Sequence, residues 1–208
     1  MLPAFKRYAF PGGIHPPQHK AMSTSNEIKR IAMPATLYLP LRQHAGQSAV
    51  PVVSAGDYVC KGQLLAKAEA SISAPVHAPT SGVIRAIETH PVPHPSGLTA
   101  ACIVLDVDGL DQSAEHRMTS APHQQLSTED LIQCIHDAGI VGLGGAAFPA
   151  AVKMRTPATT QLETLLINGA ECEPFITCDD MLMRTQAVNI LQGIHLTPFS
   201  SISICDFA

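Results

Sequence analysis

The sequence has no tryptophan and few aromatic or charged residues, which make up 4% and 14% of its 208 residues. Hydrophobic residues account for 46%, so the composition favours a packed globular protein over a disordered one. The formal net charge is −4, and without a basic excess we expect no binding to nucleic acid. No apolar run approaches the ~18–20 residues of a membrane-spanning helix, so we expect no transmembrane segment in this chain.

Closely spaced cysteines are also missing. The six cysteines stand singly along the chain: Cys60, Cys102, Cys134, Cys172, Cys178 and Cys205. Without a C-x-x-C pair, the sequence offers neither a zinc ribbon nor a ferredoxin-like iron–sulfur motif. The pairs His15/His19 and His90/His94 have prolines between or beside them, so neither lies on a regular helix, and we predict no metal site. The segment MLPAFKRYAFPGG lacks the apolar centre of a signal peptide, and we expect a cytoplasmic location.

The first half of the chain, residues 1–110, is rich in proline and β-branched residues. Its patterns predict strands at Val50–Val53, Gln63–Ala68 and Val83–Glu88 and in the segment AACIVLDVDG, with a turn at Ala55-Gly56-Asp57. Short strands with turn signals at this density predict a small β-barrel or sandwich.

Two segments of this half, AGDYVCKGQLL and APTSGVIRAI, each place a turn before an apolar strand. The repeat resembles the barrel-sandwich hybrid fold of biotinyl and lipoyl carrier domains. Such carriers need a modifiable lysine at a hairpin tip, but the corresponding segment EASISAPVHAP has none. Lys67 falls inside the preceding strand, so we expect the fold without the swinging-arm function.

The second half follows a different pattern, after a polar and aperiodic linker at residues 111–126. Ser127 is predicted to cap a helix that ends before Gly139, with carboxylates in its first turn. A second helix is predicted from Asp179 to Gln192, capped by Thr177 and stopped by Gly193. The segment ETLLINGAE predicts a buried strand of the parallel type and SSISIC another, which together indicate an α/β arrangement.

The segment GIVGLGGAAFPAAVK, residues 139–153, contains the loose dinucleotide pattern G-x-G-x-x-G/A at Gly142, Gly144 and Ala147. A dinucleotide loop leaves a strand and enters a helix, whereas a helix precedes these glycines; a Walker loop is excluded because no G-K-[ST] follows. Glycines still let a backbone approach a flat or anionic ligand, and Lys153, one turn after Pro149, can meet a phosphate. The alternative is a glycine-rich connection between helices with a solvated lysine.

The segment NGAECEP follows the predicted strand at its carboxyl end, where ligands bind in open α/β sheets. Asn168 can both donate and accept hydrogen bonds, as a flavin or a ribose requires. Glu171 and Glu173 are unusual neighbours for an apolar strand, although a solvated acidic turn remains the alternative. We interpret Cys172 and Cys178 as structural, because no adjacent histidine supports a nucleophile.

Six segments in this order resemble one family closely: FPGGIHPPQHK, LPLRQHAG, GDYVCKGQ, APVHAPTSGVI, GIVGLGGAAFPAAVK and LLINGAECEPFITCDDMLM. They resemble the C subunit of the Rnf-type electron transport complex, the ion-pumping ferredoxin:NAD⁺ oxidoreductase of bacteria. The glycine-rich and acidic segments also resemble the NADH- and FMN-binding subunit of respiratory complex I. The resemblance implies an α+β multidomain protein: a barrel-sandwich hybrid domain with an amino-terminal extension at 1–110, a linker at 111–126, and the start of a Rossmann-like FMN/NADH-binding domain at 127–208.

The resemblance implies a cofactor-binding set of seven residues: Gly142, Gly144, Gly145, Lys153, Asn168, Glu171 and Glu173. The glycines would line FMN and its phosphate with the lysine nearby. The asparagine and the first glutamate would contact the flavin or its ribityl phosphate, and the second glutamate would face NAD(H). No catalytic side chain is implied, because the cofactor performs the redox step. Electrons would pass between NAD(H), FMN and 4Fe-4S clusters, in partnership with other subunits of a complex at the bacterial inner membrane.

The sequence departs from the family pattern at several positions. Ala147 replaces a glycine, Ala150 a threonine and Phe175 a tyrosine, and a methyl group at 147 would crowd a ligand if that residue needs a positive φ. The cysteine motifs of the clusters do not occur before the final SSISICDFA. We therefore expect a truncated form with an incomplete site and a loosely folded second half, and whether it is an enzyme stays open. The alternative is a non-catalytic docking fragment of the complex that binds no cofactor.

Overall fold

The computed structural model describes residues 12, 14, 16–93, 97–114, 126–155, 167–196 and 205–206. In these described ranges the first half has one short helix and seven strands: α1 (Lys20–Thr24), β1 (Thr36–Pro40), β2 (Val50–Pro51), β3 (Tyr58–Val59), β4 (Leu64–Lys67), β5 (Val76–His77), β6 (Gly82–Pro91) and β7 (Thr99–Val107). The described part of the second half has four helices and two strands: α2 (Thr128–Asp137), α3 (Ala150–Met154), β8 (Ile167–Asn168), α4 (Cys178–Thr185), α5 (Ala187–Leu196) and β9 (Cys205–Asp206).

The first half forms two antiparallel sheets, ordered β1-β7-β6-β3 and β2-β4-β5. The predicted small β-barrel or sandwich is thereby confirmed. β6 and β7 form the longest pair, and a register shift between Ile84 and Ala86 bends it. Side chains alternate along β6, so that Ile84 is fully buried while Val83 and Arg85 face outward.

One hydrophobic core lies between the two sheets. Its buried members are Leu41, Ala49, Val53, Val59, Leu65, Ala66, Val76, Ala78, Ile84, Ile103 and Leu105. Leu65, Ile84, Ile103 and Leu105 are among the largest fully buried side chains. Each such side chain contributes about 1.5–3 kcal/mol of burial free energy, so this cluster supplies the main driving force for folding of the first half.

The predicted strands and the predicted turn of this half are found, with altered bounds. The strand predicted at Val50–Val53 is shorter in the structure, where it is β2, and the one predicted at Gln63–Ala68 is β4. The strand predicted at Val83–Glu88 is longer and corresponds to β6. The turn at Ala55-Gly56 is held because the Gly56 N–H donates to the Ile84 carbonyl at 2.7 Å. Lys67 ends β4 and pairs with Glu69 at 2.7 Å, in agreement with its predicted place inside a strand.

Contacts with the barrel continue past residue 110 into the predicted linker. Lys61 pairs with Asp111 at 2.7 Å, and the Ala114 N–H donates to the Lys61 carbonyl at 2.9 Å. Residues 115–125 of the linker lie outside the described residues, and the domain boundaries stay a prediction. In the described part of the chain, no helix combines the length and the apolar character needed to cross a membrane.

The capped helix predicted after Ser127 is confirmed as α2. Ser127 accepts the Asp130 N–H at 3.1 Å, and the Asp130 carboxylate accepts the Ser127 N–H, which completes a capping box. The buried side chain of Ile132 packs against Ala151 and Met154 of α3 in a second, smaller core. α2 and α3 therefore form a helical pair that carries the segment between them.

The single helix predicted from Asp179 to Gln192 is wrong in two respects. The structure has two helices, α4 and α5, because the backbone leaves the helical region at Gln186 (φ −129°). Gly193 does not stop α5, which continues to Leu196; a stop glycine requires a positive φ, which Gly193 does not adopt. Of the two predicted strands, the described parts are β8 and β9, which pair in parallel as expected.

Gly82 marks the closest approach of two strands in the barrel, and its replacement tests that packing. A Cβ added there would lie 2.1 Å from the Asp106 carbonyl oxygen of β7. We expect Gly82→Ala to lower the free energy of unfolding by about 3 kcal/mol, measured by urea unfolding followed by circular dichroism. The control Gly56→Ala meets no atom within 4 Å but has a φ of 95°, and should cost about 1 kcal/mol. Equal losses for the two variants would contradict a steric origin.

Candidate functional site

The glycine loop, residues 139–149, connects the end of α2 to the start of α3. Gly139 ends α2 with a φ of 70°, as predicted for the stop residue. The base of the loop is tied by an antiparallel bridge between Val141 and Pro149 and by the Gly142 N–H, which donates to the Phe148 carbonyl at 2.9 Å. These contacts close the base of the loop, and the tip extends beyond them.

The backbone at the tip of the glycine loop is accessible, and the ammonium group of Lys153 lies beside the loop at Gly142. A Cβ added at Gly145, whose φ is 93°, would meet no atom within 4 Å. A Cβ added at Gly142 would lie 3.8 Å from Nζ of Lys153. In the described residues Lys153 makes no hydrogen bond or ion pair through its ammonium group. α3 begins after Pro149, as predicted, and this start places the lysine beside the loop.

Ala147 has a backbone conformation that residues with a side chain seldom adopt. Its φ is 46°, in the left-handed region, so the condition under which its methyl group would crowd a ligand is met. The Ala147 carbonyl accepts the Ala45 N–H of the barrel at 3.0 Å. A non-glycine residue in this region costs about 1–2 kcal/mol, and the bond to the barrel holds it there.

The acidic turn, residues 168–177, connects β8 to α4. Asn168 Oδ1 accepts the Ala170 N–H at 3.0 Å and shapes the first part of the turn. Glu171 Oε1 accepts the Asp179 N–H at 2.9 Å, and the Glu171 side chain is only 5% exposed. A solvated acidic turn is therefore the wrong interpretation for Glu171, whereas Glu173 is exposed.

Glu171 also explains why Thr177, which lies at the predicted cap position of α4, does not cap the helix with its side chain. Thr177 holds the cap position, but its side chain makes no capping hydrogen bond. A capping threonine hydroxyl would accept a hydrogen bond from the Asp179 N–H. In this structure the Asp179 N–H donates to the Glu171 carboxylate instead. A carboxylate at this place is also favoured by the positive end of the helix dipole.

The structure brings the predicted site residues together as two groups. Lys153 and the loop glycines form the first group; Asn168, Glu171 and Glu173 of the acidic turn form the second. Within the described ranges no hydrogen bond or ion pair joins one group to the other.

The sequence analysis missed residues of the amino-terminal strap, residues 16–25, which contacts the acidic turn. Lys20 Nζ lies 3.7 Å from Glu171 Oε2 and donates to the carbonyl of Ile176 at 2.9 Å. The His19 ring stacks on Phe175 with centroids 5.0 Å apart. The one signal in the sequence was the motif FPGGIHPPQHK, which carried the family resemblance without an assigned role.

The charges at the start of α4 are partly uncompensated. Burial, and then the Glu171 charge, raise the pKa of Asp179, whose Oδ2 is buried without a hydrogen-bond partner. This carboxylate borders a small apolar cavity lined by Ile167, Leu182 and Met183. Burial also raises the pKa of the Cys178 thiol, which supports a structural role for it over a nucleophilic one.

Glu171, Cys178 and Asp179 place potential metal-ligand atoms within 4.8 Å of one another. The cluster offers a poor site, because the ammonium group of Lys20, 3.7 Å from Glu171 Oε2, would repel a bound cation. One Glu171 oxygen is also occupied by the Asp179 amide. These observations add no support for a metal at this turn.

The strain at Ala147 gives a direct test of the loop geometry. We expect Ala147→Gly to raise the free energy of unfolding by up to about 1 kcal/mol, because glycine adopts a φ of 46° without a Cβ clash. The control is Ala146→Gly, an exposed neighbour without a positive φ, which should be neutral or destabilising. Thermal unfolding measures both; a stabilising Ala146→Gly would show that the gain does not come from the positive φ.

The raised pKa of Asp179 predicts how stability depends on pH. A carboxyl whose folded-state pKa exceeds its unfolded value stabilises the fold most below the unfolded pKa, and that contribution is lost as pH rises through the folded pKa. Asp179→Asn should therefore raise the melting temperature at neutral pH, with a gain that vanishes near pH ~3. The control Asp180→Asn breaks the 2.8 Å pair with Arg184 and should give no gain. A gain for Asp179→Asn that is independent of pH would contradict the assignment.

Comparison with known proteins matches both halves of the chain to described domains. Residues 8–110 match the RnfC barrel sandwich hybrid domain, and residues 135–200 match the Nuo51 FMN-binding domain. The barrel-sandwich fold predicted for the first half is thereby confirmed.

Relatives named as the C subunit of an ion-translocating oxidoreductase complex match across both halves. The protein of Haemophilus influenzae (strain ATCC 51907) is 47% identical over 191 residues, covering 92% of this chain and 23% of the relative. The protein of Rhodobacter capsulatus is 46% identical over 189 residues, covering 91% of this chain and 36% of the relative. This chain thus spans between 23% and 36% of the length of these two relatives. The resemblance drawn from the six segments is confirmed: the chain belongs to the RnfC family.

Proposed function

We propose that this chain supplies part of an FMN- and NAD(H)-binding site and takes part in electron transfer between NAD(H), FMN and iron–sulfur centres. The observation that carries the proposal is the ammonium group of Lys153 beside Gly142, together with open backbone further along the same loop at Gly145. The match of residues 135–200 to an FMN-binding domain and the name of the relatives give independent support.

The glycine loop fits the phosphate end of FMN. Gly142, Gly144 and Gly145 keep the backbone free of side chains, so a phosphate or a flat ring can approach the tip of the loop beyond Gly142, whose own amide donates to Phe148. Lys153 adds a positive charge without an ion-pair partner among the described residues, which an anion would compensate. These features together match an anionic ligand better than a plain connection between helices.

The acidic turn is proposed as the second side of the site. Asn168 would contact the flavin or its ribityl phosphate, and Glu171, held by the Asp179 amide and Lys20, would keep the turn in place for that contact. Glu173, whose side chain is exposed, would face the nicotinamide nucleotide. When bound, FMN supplies the redox chemistry between a hydride donor and one-electron acceptors, and the chain contributes binding, orientation and electrostatics.

The relatives are named as subunits of a complex, and we propose that this chain also works with other subunits. It would lie at the cytoplasmic side of the bacterial inner membrane, held there through its partners. The 4Fe-4S clusters that receive the electrons would be held by cysteines other than those of this chain, since its sequence has no C-x-x-C pair.

Flavin binding tests the proposal through the fluorescence of FMN. The purified chain should quench FMN fluorescence at micromolar concentrations. Lys153→Met should weaken FMN binding about tenfold or more, because a charge-assisted contact to phosphate contributes ~1.5–3 kcal/mol. Riboflavin, which has no phosphate, should bind both proteins alike.

The matched control is Lys67→Met, which removes a lysine paired with Glu69 in the barrel and should leave FMN binding unchanged. Absence of quenching by the unaltered chain would reject the proposal in favour of a docking fragment without cofactor. Equal losses of FMN and riboflavin affinity would instead show that Lys153 supports the fold of the loop and does not meet the phosphate.

A further inference from the structure

The amino-terminal strap provides the hydrogen-bond partners of the Phe175 backbone in the acidic turn. The Phe175 N–H donates to the Gln18 carbonyl at 2.9 Å, and the Ser23 hydroxyl donates to the Phe175 carbonyl at 2.7 Å. Within the described residues, no other segment bonds to either backbone group of Phe175. Both hydrogen-bonding groups of this residue thus depend on a segment about 150 positions earlier in the chain, 152 in the case of Ser23.

Phe175 needs this support because its backbone is strained. Its φ is 66°, which a bulky residue rarely adopts, and such strain persists only where the surroundings determine the conformation. Its ring stacks on His19 at an interplanar angle of 14°, and His19 is itself left-handed, with a φ of 51°. Two strained residues, one from each segment, therefore hold each other in place.

Lys20 joins the strap to the charges and carbonyls of the turn. Its ammonium group donates to the carbonyls of Ile176 at 2.9 Å and of Glu173 at 3.4 Å, and it lies 3.7 Å from Glu171 Oε2. The Lys20 side chain is 28% exposed and that of Glu171 only 5%. A carboxylate so deeply buried requires a compensating charge, and Lys20 is the cation that the structure places beside it.

The contacts of Lys20 extend through Glu171 to α4. One carboxylate oxygen of Glu171 faces Lys20, and the other accepts the Asp179 amide in the first turn of that helix. Lys20 contacts Glu173 through the backbone carbonyl only, and the Glu173 side chain is exposed. The strap thus fixes both glutamates without covering the second one.

We propose that the amino-terminal strap is part of the cofactor site and that Lys20 is a positioning residue for the acidic turn. The strap holds the turn in its ligand-binding form before the ligand arrives, so that binding does not bear the cost of ordering it. This inference rests on the proposed function, which assigns Asn168, Glu171 and Glu173 to the site.

The variant Lys20→Met tests the strap in the full chain, first without cofactor. Hydrogen–deuterium exchange should accelerate about tenfold or more at the amides of Phe175 and Asp179, because both lose support when the lysine is removed. Exchange at Ile84 in the barrel core should not change, which shows that the variant is folded. The matched control is Lys29→Met, an exposed lysine with no hydrogen bond or ion pair to the turn among the described residues.

The second measurement is FMN and NADH affinity of the same proteins. Lys20→Met should weaken binding about tenfold, Lys20→Arg should restore most of it, and Lys29→Met should leave it unchanged. Ser23→Ala, which removes one hydroxyl bond, should give the same pattern in milder form.

The two measurements separate failure of the strap from failure of the proposed function. If hydrogen–deuterium exchange at Phe175 and Asp179 is unchanged in Lys20→Met, the proposal that the strap holds the turn is wrong, whatever the cofactor affinity. Faster exchange with unchanged affinity overturns the positioning role. If the unaltered chain binds no FMN, the proposed function fails, and the exchange comparison alone decides whether the strap holds the turn.

Discussion

The carboxylate of Glu171 is the constraint on which the acidic turn depends. A side chain only 5% exposed cannot keep its charge without partners, and its two oxygens find them in different parts of the chain. One accepts the Asp179 amide at the start of α4, and the other faces Lys20 in the strap. One buried charge thus fixes the direction of a helix, the path of a turn and the location of the amino-terminal segment.

The glycine loop depends on the barrel in a comparable way. The Ala45 N–H donates to the Ala147 carbonyl, and Gly139 approaches the Pro75 carbonyl so closely that an added Cβ would lie 2.6 Å from it. Between the two segments lies a cavity of about 260 Å³, bordered by His44 and His77. Burial lowers the pKa of His77 against an opposing effect of Asp137, so a neutral imidazole is favoured on the barrel side of the loop.

The features of the structure that the sequence predicted are those that depend on interactions between residues close together in the chain. The capping box of α2 needs only Ser127 and Asp130, and the end of α2 at Gly139 follows from a glycine that adopts a positive φ. Thr177 holds the predicted cap position of α4, but its missing side-chain bond was not foreseen, because the Asp179 amide donates to Glu171, eight residues before it and outside the helix. The strap was missed for the same reason: Lys20 and Ile176 are 156 residues apart, and no periodicity or cap signal links them.

The barrel acquires a role from these contacts that its resemblance to carrier domains did not suggest. In a carrier, the segment after β4 would present a lysine to distant active sites, whereas here Lys67 is paired with Glu69 in the strand. The following residues, up to Pro75 and His77, lie against the start of the glycine loop. A rigid two-sheet core behind a loop with accessible backbone limits the conformations of the loop, which reduces the entropy lost when a ligand binds. The same hairpin that moves a group in carriers would therefore hold a binding loop still in this chain.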